Sequence, residues 1–268
     1  MKETVKDWVE ELQKEGKISF SLTEAAEHFP MQSREVLKNS LTRLAGKGKI
    51  CSVWKGFYVI VPIEYQSKGI VPDVFYVDQL MKFLKHDYYV SLLSAAMFYG
   101  AAHQQPQETS IVTTPPSLRS TQKRGIKLNF NNKATIPEQF IEKRKTPTGY
   151  IHISSPELTA TDLIQFEKEI GGLNRAATVL NDLAESLDFK KIPPHFFEYV
   201  PVPVIQRLGY LLDVELKYRL QAEELLLQVK QYGYSFRTTP LKNRKPVAGC
   251  ETNKKWKIIV NEQIDIDE

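Results

Sequence analysis

Hydrophobic positions near the start of the chain repeat at helical spacing. Val5, Trp8, Val9 and Leu12 fall at i, i+3, i+4 and i+7, which predicts a helix with one narrow apolar stripe. Gly16 is a natural stop, and Ile18 to Phe20 fits a short strand. Ser21 followed by Glu24 has the form of a capping box and predicts a helix over Leu22 to His28, ended by Phe29-Pro30. A further helix is expected from about Ser33 to Ala45. Leu37, Leu41 and Leu44 define its buried side, and Gly46-Lys47-Gly48 ends it. The period then shortens. Ile50 to Val53 and Phe57 to Val61 flank Trp54-Lys55-Gly56, the pattern of a two-stranded hairpin, and Pro62 closes the unit. Helix, turn, helix and basic-tipped hairpin in that order predict a winged helix-turn-helix domain over residues 1–62.

Residues 63–268 carry a different mixture. Asp73 to Leu84 and Tyr88 to Ala102 read as helices, the second apolar around much of its circumference and therefore buried. A polar turn, His103 to Glu108, leads to a strand at Ser110 to Thr114, and Pro115-Pro116 opens a basic, irregular stretch. Ile126 to Phe130 and Tyr150 to Ile153 read as strands. Ser155 to Ile170 and Leu173 to Leu187 read as amphipathic helices separated by Gly171-Gly172. Pro203 to Tyr232 supplies one long helix or two shorter ones, and Lys257 to Val260 a last strand. The expected class is α+β: an N-terminal winged helix-turn-helix followed by a larger mixed α/β domain over residues 63–268.

Charge sharpens this picture through its distribution. The net formal charge is only +4. From Met31 to Lys55, however, six bases face one acid, and from Ser117 to Gly149 eight face two. Arg237 to Lys257 has seven bases against one acid, whereas Glu157 to Asp188 reverses sign with seven acids against two bases. Basic faces beside an acidic segment suit a protein with both nucleic-acid and protein partners. The exposed side of the Ser33–Ala45 helix would show Gln32, Glu35, Asn39, Thr42 and Arg43. Of these, Gln32, Asn39 and Arg43 can make bidentate contacts to base edges. Arg34, Lys38, Lys47, Lys49 and Lys55 suit phosphates, and Ser33 and Trp54 complete the candidate DNA-binding set.

Other chemistries find little support. Cys51 and Cys250 are far apart and form no paired spacing, and the histidines stand alone, so no metal site is expected. Walker, GxGxxG and GxSxG motifs do not occur, so no cofactor is expected. Asp213-Val-Glu215-Leu-Lys217 contains the carboxylate–lysine element of metal-dependent nucleases. That motif needs a strand, and its setting here is helical. The expectation is therefore a protein without catalytic residues; a DNA-targeted nuclease and a ligand-sensing transcription factor are the alternatives. The N-terminus lacks an apolar signal region and no apolar run is long enough to span a bilayer, so a cytoplasmic protein without a membrane partner is expected.

Three segments carry a family resemblance: GKICSVWKGFYVIVP, YYVSLLSAAMFYGAAHQQPQE and SSPELTATDLIQFEKEIGGLNRAATVLNDLAE. In this order they resemble the AbiEi antitoxins of bacterial abortive-infection toxin–antitoxin systems, which act in phage defence. The resemblance covers roughly residues 3 to 230. It implies a winged helix that binds double-stranded DNA at promoter inverted repeats and represses its own operon. It also implies a C-terminal domain that neutralises a nucleotidyltransferase-like toxin without requiring a stable complex. By position, Gln32 to Arg43 and Trp54-Lys55 match the family's recognition helix and wing. The segment after Gln231 matches least.

Overall fold

The computed structural model of the 268-residue chain describes residues 3–67, 71–101, 108–123 and 125–266, and is mixed α+β. The expected polar turn at His103 to Gln107 lies outside the described residues. In chain order the elements begin with α1 (Val5–Lys14), β1 (Ser19–Ser21), α2 (Leu22–His28), α3 (Arg34–Gly46), β2 (Ile50–Trp54) and β3 (Phe57–Ile60). Next come α4 (Val77–Leu84), β4 (Tyr88–Val90), α5 (Leu92–Ala96), β5 (Thr109–Thr113), β6 (Thr121–Lys123), β7 (Ile126–Asn132), β8 (Ile141–Thr146) and β9 (Gly149–Ser154). The last are α6 (Pro156–Gln165), α7 (Leu173–Leu183), α8 (Val202–Tyr210), α9 (Arg219–Tyr232), β10 (Thr239–Pro240), β11 (Thr252–Asn253) and β12 (Ile258–Ile259).

The chain divides into two compact units. The first is Met1–Tyr88 with Thr113–Asn132 and Lys143–His152; the second is Tyr89–Val112 with Lys133–Glu142 and Ile153–Glu268.

In the first unit, side-chain chemistry sets the early helix boundaries. Ser21 accepts the Glu24 amide at 3.0 Å while the Glu24 carboxylate accepts the Ser21 amide at 2.6 Å, the reciprocal cap its sequence predicts. Thr4 and Asp7 cap α1 in the same way. Strands β1, β3 and β2 form an antiparallel sheet in that order, with Ser19 and Cys51 both opposite Val59. Helices α1 to α3 cover one face of it. Trp8, Leu12, Phe20, Leu37, Leu41 and Ile60 belong to one apolar cluster there. The other face is covered as well. Cys51, Val53, Phe57 and Val59 are buried, and the Phe57 ring lies 5.3 Å from Phe83 of α4. Antiparallel β6 and β7 pair Thr121 with Leu128 and Lys123 with Ile126.

In the second unit the segment expected as one helix from Tyr88 to Ala102 changes conformation. β4 ends at Val90, Leu92 takes a left-handed φ of 55°, and α5 gives way to a 3-10 turn at Met97–Tyr99. A short, wholly apolar run fits a buried strand as well as a buried helix, and the aromatic, β-branched Tyr88-Tyr89-Val90 takes the strand. β4 pairs parallel with β9 at Val90↔Ile153, and β5 is its other neighbour. Helix α6 is buried from Leu158 to Ile164 on every side rather than amphipathic. Three of its buried polar members have partners: Thr159 bonds Ser154 at 2.6 Å, Thr161 donates to the Leu158 carbonyl at 2.9 Å, and Asp162 faces several donors. Tyr89 and Ser91 donate to the Asp162 carboxylate at 2.9 and 2.7 Å, and Lys133 forms a buried ion pair with it. A carboxylate at 0% exposure requires such partners, because an unpaired charge there is strongly disfavoured.

Candidate nucleic-acid interface

Helix α3 has two chemically distinct sides. Leu37 and Leu41 are fully buried and Leu44 nearly so, all against α1, α2 and the sheet. Arg34, Lys38, Asn39, Thr42 and Arg43 are exposed, and Gln32 is half-buried in the preceding turn. The 3.6-residue period produces this separation, since three leucines spaced at four and three residues occupy one stripe. Ser33 caps the helix: its hydroxyl accepts the Val36 amide at 3.3 Å, which fixes where α3 begins. Lys47, just beyond the helix, is exposed. Lys49 is exposed too, but donates to the Gln66 side chain at 3.2 Å. Among the described residues no ion pair engages Arg34, Lys38, Arg43, Lys47 or Lys55, so their charges face solvent uncompensated. The same side also exposes Met31 and Val36, at 90% and 51%.

The hairpin tip divides its two candidates. Lys55 is exposed, whereas the Trp54 ring is half-buried and meets Phe130 of β7 edge-on at 5.8 Å. Gly56 supplies the tip's φ of 79°, a left-handed value that a side chain disfavours. Its position in space is therefore set by β7 as well as by β2 and β3.

The carboxylate–lysine element lies in the second unit and is committed to structure. Leu211–Glu215 is a single π-helical turn and Lys217 takes a left-handed φ of 62°. The Trp256 indole donates to Asp213 at 2.9 Å, and Lys255 pairs with the same carboxylate at 2.7 Å. Burial pushes the Asp213 carboxyl up, but those two donors outweigh it and hold it below its ordinary value. Glu215 accepts the Tyr210 hydroxyl at 2.7 Å. No group of three or more His, Cys, Asp or Glu side chains gathers as a metal set among the described residues.

Sequence reasoning missed what these residues hold, the C-terminal tail. Trp256 is fully buried and packs on Gly209 of α8, where an added Cβ would meet its ring at 2.0 Å. Gln206 donates to the carbonyls of Arg237 and Trp256, both at 2.8 Å. Arg207 holds the Pro240 carbonyl and the Asn243 side chain, and burial lowers its guanidinium below its usual range. The lone Gly in an otherwise bulky α8 was the available signal.

With this geometry in view, a family model, the AbiEi antitoxin C-terminal domain, matches residues 89–214. The match fits a role in a toxin–antitoxin system and covers the buried network around Asp162. No curated protein matches the sequence. Among solved structures, the RV2827C protein from Mycobacterium tuberculosis superposes with a TM-score of 0.67 over 94% of this chain and 89% of that chain, at 13% identity. That likeness shows a shared fold. An antigenic nucleotidyltransferase-like protein from Paracoccidioides brasiliensis reaches a TM-score of only 0.36 at 12% identity over 57% of this chain and 89% of that one, too low to support any argument. Among the described residues, no helix is long and apolar enough to cross a membrane.

Proposed function

We propose that the protein is the antitoxin of a toxin–antitoxin pair and a sequence-specific repressor of its own promoter. Residues 1–62 are the winged helix-turn-helix in this reading, and residues 63–268 carry the antitoxin function against a nucleotidyltransferase-like toxin in the cytoplasm. The observation that carries the DNA-binding half is α3, whose leucines are buried while Asn39, Thr42 and Arg43 stand exposed together. A helix presenting uncompensated bases and amide side chains suits the major groove. Gln32, Asn39 and Arg43 face base edges. Arg34, Lys38, Lys47, Lys49 and Lys55 neutralise phosphates, Ser33 sets the helix start, and Trp54 flanks the tip.

The test is a binding titration on the protein's own upstream DNA at fixed salt. Replacing Asn39 or Arg43 with Ala should each weaken binding by about 1–3 kcal/mol if the lost contact is bidentate, and should erode preference over a scrambled duplex. Unchanged affinity in both variants would remove α3 from the interface. The antitoxin half is tested by co-expression with a nucleotidyltransferase-like toxin. The Asn39 and Arg43 variants should still restore growth, because the antitoxin function resides in the other segment. Loss of rescue in these folded variants would refute that separation.

A further inference from the structure

We infer that the β6–β7 hairpin is a second contact surface for the DNA backbone, set beside the wing tip. The inference rests on the proposed DNA binding and extends it to residues outside the winged helix. Three observations in the first unit converge. The Trp54 ring at the end of β2 meets Phe130 of β7 edge-on at 5.8 Å, so the wing tip and the hairpin are packed neighbours. The Ser120 hydroxyl accepts the Phe130 amide at 3.3 Å, which puts Arg119 one residue from that contact. Arg119 and Lys123 are exposed, and among the described residues no ion pair or hydrogen bond engages their side chains.

The occupant follows from charge and from packing. Lys55 at the wing tip, Arg119 and Lys123 are uncompensated cations on two joined hairpins, with no acid between Ser117 and Lys133. Duplex DNA carries one negative charge per ~1.7 Å of axis, so exposed, uncompensated cations suit it without base-specific chemistry. The sheet face that would otherwise leave the β2–β3 hairpin mobile is buried, and Trp54 is pinned on Phe130. One side of the wing tip is thereby committed to β7. A neighbouring basic hairpin extends its reach along the backbone. The contact would position the protein without reading sequence, leaving specificity to α3.

The experiment measures binding of the full chain to its upstream DNA and to a scrambled duplex across a salt series. The variants are Arg119→Gln/Lys123→Gln and Arg119→Lys/Lys123→Arg, with Asn39→Ala/Arg43→Ala in parallel and circular dichroism to verify folding. Each lost phosphate contact lowers the slope of log K against log salt by about 0.9, so the Gln pair should lose about 1.8. At 0.15 M salt that corresponds to roughly thirtyfold weaker binding, by the same factor on both duplexes. The charge-conserving pair should keep the wild-type slope. A slope unchanged in the Gln pair, while the α3 variant loses specificity, would overturn the hairpin contact and leave the α3 reading intact. A wild-type chain that does not prefer its upstream DNA overturns both.

Discussion

Replacing Gly209 with Ala should destabilise the protein, against the ordinary preference of a helix. In an unobstructed helix interior the change is favourable by about 1 kcal/mol. Here the new Cβ would lie 2.0, 2.2 and 2.4 Å from three carbons of the Trp256 ring, where ordinary carbon contacts are about 3.5–4 Å. The ring would have to retreat by about 1.5 Å to reach that contact distance. It cannot do so in place, because its indole is held on Asp213 at 2.9 Å, its carbonyl on Gln206 at 2.8 Å, and its face lies near Phe236. Expelling a fully buried Trp costs about 3–5 kcal/mol by analogy with its truncation, an upper bound on the clash. Set against the helix gain, the expected net loss is about 2–4 kcal/mol. Denaturant unfolding of the full chain, followed by far-ultraviolet circular dichroism, measures it. The decisive arm is the double variant. In a Trp256→Ala background the obstruction is gone, so Gly209→Ala should become stabilising by about 1 kcal/mol. A single variant as stable as the parent, or a penalty that survives in the Trp256→Ala background, would refute the docking argument.

Two further outcomes follow from buried groups. Lys133→Met and Asp162→Asn should each cost about 3–5 kcal/mol in denaturant unfolding, because each leaves a buried charge unpaired, and the double variant should recover much of the loss. Stability should also fall at alkaline pH. Burial first, then Asp73, Asp78 and Asp162 respectively, push the Tyr76, Tyr88 and Tyr89 hydroxyls above their ordinary value. Raised folded values mean that the native state holds these protons more tightly than the unfolded chain. Their contribution is therefore complete below pH ~10 and lost as pH rises above it. Replacing Tyr89 with Phe should flatten part of that decline; a thermal midpoint with the same alkaline slope in parent and variant would count against Tyr89.

Local chemistry was legible wherever neighbours in sequence decide the outcome. The Ser21–Glu24 cap, the Leu37–Leu41–Leu44 stripe and the glycine-bounded hairpin need only residues within a few positions, so α2, α3, β2 and β3 could be read from the chain. The exposed face of α3 follows from the same period. Elements whose form depends on distant partners could not be read in this way. Tyr88–Val90 is a strand because β5 and β9 lie beside it, and an isolated apolar run does not show that. Helix α6 tolerates Asp162 at its centre because Tyr89, Ser91 and Lys133, between 29 and 73 positions away, supply the donors. Trp256 finds Gly209 across 47 residues and thereby turns a suspected nuclease element into a docking point for the tail. The sequence alone determined which side chains α3 presents. Only the tertiary structure decided that the β2–β3 hairpin is braced by β7, because the Trp54–Phe130 contact joins residues 76 positions apart that no local pattern connects.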